Sequence, residues 1–194
     1  MTTVEERDTT DVVTGSVQEF VLVLNRAPSD DEIDWLYDAG LDDATVERTV
    51  DDQAQLHVGR PDRYLMSALY SAIREAESVP DLHVRAVLPE DLVQLQTIAD
   101  RSQRPLEFLH RAVQGNVSRA EPGFQAFPAP EVGSSDEPDA LYSWAAVSRW
   151  FDWFDAAPVL YPYDRQIQVA DHVVKARSLA PEKEREIWVH LFQL

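Results

Sequence analysis

Apolar positions recur along this chain with two periods, and the switches between them mark out its elements. Phe20 to Leu24 is a short, branched apolar run of the kind that forms a strand buried on both faces, and it stops at Asn25 to Pro28. Ser29 and Glu32 stand at capping-box spacing, Ile33, Trp35, Leu36 and Leu41 supply a helical stripe, and Gly40 is placed to end it. Thr45 to Val50 and Gln55 to Val58 alternate polar and apolar around Asp51 and Asp52, which predicts a hairpin. A helix capped by Asp62 follows, with Tyr64, Leu65, Ala68, Leu69, Ala72, Ile73 and Ala76 on one stripe and Pro80 as its stop, and then a strand over Leu82 to Leu88.

Beyond that point the period is helical. Leu95 to Arg101 and Pro105 to Gln114 form two short apolar-periodic segments separated by a gap that admits only a tight corner. The Gly, Pro, Ser and Asp cluster over Gly115 to Pro138 reads as a long loop, within which Phe127 to Pro130 is a rigid extended piece. Leu141 to Trp144 is expected to pair with that piece as a wing. Ala145 to Phe154 predicts a third, inward-packing helix, and its aromatic group from Trp144 to Phe154 is read as core in preference to an interface. Asp164 to Leu179, with Val169, His172, Val173 and Ala176 as its stripe, and Pro181 to Phe192, with Ile187, Leu191 and Leu194, predict two more helices.

The order strand, helix, strand, strand, helix, strand is that of a ferredoxin-like split βαβ unit, so the class is α+β. The expected division is a loosely attached tail over 1–16, a ferredoxin-like βαββαβ domain over 17–89, a winged helix-turn-helix over 90–156 and C-terminal helices over 157–194.

Composition narrows the chemistry. With 194 residues and a hydrophobic fraction of 44%, the chain has material for a real core. The absence of cysteine excludes disulfides, thiolate metal sites and cysteine nucleophiles. No run approaches the ~18 apolar residues of a membrane helix, and the acidic start lacks signal-peptide features, so the expected location is the cytoplasm with no membrane partner.

The formal charge of −18 bears most on function, because affinity for nucleic acid rests on Lys and Arg. It is unevenly spread. Residues 1–88 hold seven basic against nineteen acidic residues, residues 131–194 six against eleven, and residues 89–130 four against five. The four are Arg101, Arg104, Arg111 and Arg119, clustered on and beside the helix pair with Glu107 as an opposing charge.

In a helix-turn-helix the second helix turns apolar residues to its own core and polar ones to the major groove. Leu109 and Val113, with Ile98 and Ala99, suit the first task; Glu107, His110, Arg111 and Gln114 suit the second. Arg101 and Arg104 are expected on phosphates, and Asn116, Ser118 and Arg119 extend the contacts.

APSDDEIDWLYDAGLDDATVE, DLVQLQTIADRSQRPLEFLHRAVQG and FPAP…LYSWAAVSRWF resemble a family of small bacterial DNA-binding proteins in which a winged, MerR-like helix-turn-helix follows an N-terminal α/β region. The likeness runs from about Phe20 to Asp155, its best signature being the DAG segment together with FPAP and W-x-x-V-x-x-W. It implies a DNA-binding regulator. Three departures matter: Gln103 stands at the family's turn glycine, NVSRAEPGFQA replaces a stretch rich in Arg and Gly, and Leu106 and Phe108 add apolar residues to the second helix.

Other chemistry is poorly represented. His57, His83, His110, His172 and His190 do not fall at metal-ligand spacings, no phosphate loop or nucleophile elbow occurs, and Asp pairs such as Asp30-Asp31 and Asp42-Asp43 read as solvated caps. The expectation is a non-enzymatic protein without cofactor or metal that binds double-stranded DNA as a homodimer, since one short helix reads too few base pairs alone. The alternative is an acidic adaptor or inhibitor on the same scaffold, which would dock a protein partner through Leu106 and Phe108.

Overall fold

The computed structural model describes residues 17–48, 53–117, 125–156 and 159–179. Its first elements are β1 (Val17–Leu24), α1 (Asp30–Asp38), β2 (Ala44–Arg48), β3 (Ala54–Pro61), α2 (Leu65–Ala76) and β4 (Val84–Pro89). The four strands form one sheet in the order β2-β3-β1-β4, and each neighbouring pair is antiparallel. Strands β1 and β2, joined through α1, therefore run the same way with β3 between them.

Alternation decides which side chains meet. Leu22 faces Leu56 on β3 and Val87 on β4, and with Phe20, Leu24, Val58 and Val84 these residues form one apolar layer. Leu36 of α1 and Leu65, Ala68, Leu69, Ala72 and Ala76 of α2 close over it. Each fully buried Leu or Phe in such a layer contributes about 1.5–3 kcal/mol relative to exposure. The Ser29 capping box is formed, with the Glu32 amide donating to Ser29 Oγ at 3.3 Å and the Ser29 amide to Glu32 Oε2 at 2.8 Å. Asp62 stands further from its helix than its spacing suggests. Tyr64 holds the N-cap position, and Asp62 accepts the Tyr64 N–H at 2.9 Å.

A buried cation sets one end of this layer. Arg60 lies 8% exposed and forks onto Asp43, Nε to Oδ2 at 2.7 Å and a terminal nitrogen to Oδ1 at 3.0 Å, while Glu75 Oε2 is 2.7 Å away. The hydrogen bonds it donates to Asp43, with Glu75 alongside, raise its pKa above the ordinary arginine value and outweigh the opposing effect of burial. Truncating Arg60 would leave the carboxylates of Asp43, in the turn ahead of β2, and Glu75, on α2, without their counter-charge.

The remainder comprises β5 (Leu92–Val93), α3 (Leu95–Ser102), α4 (Leu106–Val113), β6 (Tyr142–Ser143), α5 (Trp144–Asp155) and α6 (Pro162–Leu179). Strands β5 and β6 pair antiparallel, and a second core gathers Val93, Ile98, Leu109, Tyr142, Val147, Trp150 and Phe151. The aromatic run is core, as expected: Trp150 stacks on Phe154 at 4.9 Å and meets Phe127 edge-on at 5.0 Å.

Two expectations are corrected here. Phe127 to Pro130 does not pair with Leu141. The partners are Glu131 and Val132, with the Glu131 amide donating to the Leu141 carbonyl at 2.8 Å and the Leu141 amide to the Val132 carbonyl at 3.0 Å. Pro128 and Pro130 have no N–H for a ladder, so this piece docks by its Phe127 ring instead.

The stripe of α6 is also rotated. Tyr163, Ile167, Ala170 and Val174 face inward, whereas Val169 and Val173 are 51% and 41% exposed. Apolar residues occupy both sides of this helix, so periodicity alone does not choose. The choice follows from docking on the first layer, and Asp171 Oδ1 accepts the edge-strand amide of Val87 at 3.1 Å. Among the described residues no helix is long and apolar enough to cross a membrane. The tail over 1–16, the tip of the β2–β3 hairpin and the segment from Pro181 lie outside the described residues.

Candidate nucleic-acid interface

Helices α3 and α4 meet through Gln103, Arg104 and Pro105. Gln103 is left-handed, with φ 56° and ψ 33°, and the Arg104 amide behind it donates to the Ala99 carbonyl at 3.1 Å, closing the end of α3. Ser102 Oγ donates to the Ile98 carbonyl at 2.6 Å. Pro105 has a fixed φ of −59° and starts α4, its carbonyl accepting the Phe108 amide at 2.9 Å.

Leu109 and Ala112 face the second core, and Leu106, Phe108 and Val113 pack against it half-buried. Phe108 meets Phe154 edge-on at 5.5 Å. Leu106 and Phe108 therefore do not present the free apolar surface expected of a protein-docking face: Phe108 packs on Phe154 of α5 and Leu106 against the second core. Glu107, His110, Arg111 and Gln114 all lie on the exposed side, at successive turns of α4. Asn116 is exposed too, its side-chain amide donating to Gln114 Oε1 at 3.2 Å. Ser118 and Arg119 lie outside the described residues.

Two arginines expected on phosphates are engaged internally. Arg101 is only 5% exposed, donating to the Glu90 carbonyl at 2.6 Å and the Glu19 carbonyl at 3.2 Å, with its guanidinium 3.9 Å from the Tyr163 ring centre and 5.5 Å from that of Trp144. Burial lowers its pKa, opposed by Tyr163, Glu19, Asp164 and Glu90, and an arginine stays charged through such a shift. Arg104 pairs with Asp155 at the end of α5 and lies 4.5 Å from the ring centre of Phe151. Placing Arg101 at a phosphate is thus corrected: position 101 is three residues beyond Ile98, on the flank of α3 that turns inward.

Tyr163, Glu19 and Glu90, which sequence reading did not single out, complete this junction. Tyr163 donates to the Glu19 carbonyl at 2.6 Å and accepts the Glu90 amide at 3.3 Å, and burial pushes its hydroxyl up to about 12. Trp144 Nε1 donates to Asp164 Oδ1 at 2.8 Å, and burial raises that carboxyl above its usual range. The strand, α3 and α6 are bound to one another here, so the position of α4 is set by residues far from it in sequence.

The turn that follows Glu131 is closed by its own contacts. Gly133 takes a left-handed φ of 80°, and Glu137 Oε2 accepts the Ser134 amide at 2.9 Å. From 131 to 139 it carries Glu131, Asp136, Glu137 and Asp139 and no basic residue. Among the described residues no group of acidic and histidine side chains is arranged to hold a metal ion. Compared with known proteins, the chain matches no family model, no curated protein and no solved structure.

Proposed function

We propose that the chain is a sequence-reading, non-enzymatic DNA-binding protein: a ferredoxin-like unit carrying a winged helix-turn-helix, with α4 as the helix that enters the major groove. The observation that carries this is the composition of the exposed side of α4. Leu106 and Phe108 turn to the core and leave Glu107, His110, Arg111 and Gln114 as an unbroken polar face. An arginine there suits guanine, a glutamine suits adenine and a glutamate suits cytosine. The left-handed Gln103 followed by Pro105 makes a corner of the kind this motif needs, and the resemblance to the MerR-like family points the same way. Reading enough base pairs with one short helix calls for a homodimer.

The test is selection from a randomised duplex pool by the purified chain at low salt, followed by anisotropy titration of the enriched sequence. An enriched motif whose binding falls in Arg111→Ala supports the reading. No enrichment at low salt refutes it.

The acidic turn over 131–139 favours a second reading, an adaptor whose α4 face meets a basic protein surface. Its discriminating result is a partner captured by the native chain, lost on Glu107→Lys and indifferent to competing duplex.

A further inference from the structure

We propose that the cleft between β1, α2, α3 and α6 is a binding site for a small zwitterion of the amino-acid class, with Arg101 taking the carboxylate and Glu19 the protonated amine. The cleft has a volume of about 480 Å³, within the range of small-ligand sites. It brings together the beginnings of β1 and α2, Thr97, Asp100 and Arg101 of α3 with Gln103 at its end, and the first turn of α6.

Arg101 is the first argument. It lines the cleft while 95% withdrawn from solvent, and it pairs with no carboxylate among the described residues. Carbonyls and ring faces hold its charge, and its Nε–H has no partner there. Two terminal N–H groups are spent on Glu90 and Glu19, which leaves donors for an incoming carboxylate. A buried cation without a counter-ion is costly, so an anion that completes the pair is bound favourably.

Glu19 is the second. It lines the same cleft, and its Oε2 is buried without a hydrogen-bond partner among the described residues. An unsatisfied buried acceptor is costly, a deficit that an ammonium donor removes.

The balance of charge is the third. Arg63 and Arg101 face Asp100 and Glu19 around the cleft, two cations against two carboxylates. A neutral lining of separated opposite charges complements a zwitterion and disfavours a phosphate or a dianion. Tyr64 and Met66, exposed at 60% and 44%, give the mouth an apolar wall for the ligand's side chain. Neither the site nor its ligand depends on what α4 contacts.

The experiment adds the common L-amino acids one at a time to the full chain and follows thermal unfolding, with calorimetric titration of any that shift it. The expected result is a saturable rise in Tm for at least one of them. Glu19→Gln and Arg101→Lys are expected to weaken binding about tenfold or more. Glu19→Gln keeps the backbone carbonyl that holds Arg101 and Tyr163, so it decides the matter should Arg101→Lys fail to fold. Acetate alone and ethylamine alone are expected to give no saturable shift. The proposal is overturned if no amino acid binds, if Glu19→Gln binds as the native chain does, or if acetate alone reproduces the effect.

Discussion

The guanidinium of Arg101 lies 3.9 Å from the centre of the Tyr163 ring, and both side chains hydrogen-bond to the same carbonyl, that of Glu19. One residue comes from α3 and the other from α6, so this contact welds the helix pair to the sheet layer. Arg101→Ala removes the ring contact and two hydrogen bonds, and it is expected to destabilise the chain by about 2–4 kcal/mol. Arg111→Ala, on the exposed side of α4, is expected to stay within about 0.5 kcal/mol of the native value. Urea unfolding followed by tryptophan fluorescence distinguishes them, and equal losses for the two variants would contradict this assignment of roles.

Gln103 occupies a left-handed position that glycine takes without strain. Its side chain is exposed, so nothing is lost by deleting it except the restriction it places on the unfolded chain. Gln103→Gly is expected to stabilise by about 0.5–1 kcal/mol, and Gln103→Val to destabilise by about 1–2 kcal/mol, because branching at Cβ worsens the clash. The denaturation midpoint reads both, and a stabilising valine would mean that the corner is not left-handed.

His57 stands between two carboxylates, Nδ1 at 2.7 Å from Glu90 Oε2 and Nε2 at 3.0 Å from Glu47 Oε2. Burial alone would lower its pKa, but the hydrogen bonds and charges of Glu90 and Glu47 together outweigh it and leave the pKa raised. A raised folded pKa means that the contribution is fully present below the unfolded value of about 6.5 and is lost as pH climbs through the folded value. Stability is therefore expected to fall as pH rises above about 6.5, and His57→Gln is expected to flatten that slope. Thermal unfolding in a pH series is the measurement, and an unchanged slope in the variant would reject the role of His57.

These residues also mark how far the chain could be read before its structure. Strand and helix order, the Ser29 cap and the helix corner were legible because each depends on neighbours within a few positions. The polar side of α4 was legible for the same reason, since Glu107, His110, Arg111 and Gln114 recur at one helical period. The fate of the arginines was not. Arg101 is buried by Tyr163 and Glu19, distant in sequence, and Arg104 is neutralised by Asp155 across the second core. Local spacing carries no trace of such partners. The inward side of α6 was ambiguous for a related reason: Val169 and Val173 compete with Ile167 and Val174, and only the sheet decides.

The electrostatics of α4 make the last expectation quantitative. Each phosphate neutralised contributes about −0.9 to the slope of log affinity against log salt. With Arg101 and Arg104 engaged internally and four carboxylates, Glu131, Asp136, Glu137 and Asp139, on the turn expected as the wing, few phosphates can be neutralised per chain. DNA binding is therefore expected to show a shallow slope of about −1 to −3 per chain, with Arg111→Ala lowering its magnitude by about 1. Asp136 and Asp139 are the carboxylates to reverse, because Glu137 already holds the turn through the Ser134 amide. Asp136→Lys with Asp139→Lys is expected to raise affinity for any duplex at low salt about tenfold without altering which sequence is preferred, since phosphate contacts are indifferent to sequence. Anisotropy titrations across a salt series supply both numbers. A double variant that gains no affinity would place the turn away from the DNA and take the wing out of the proposed interface.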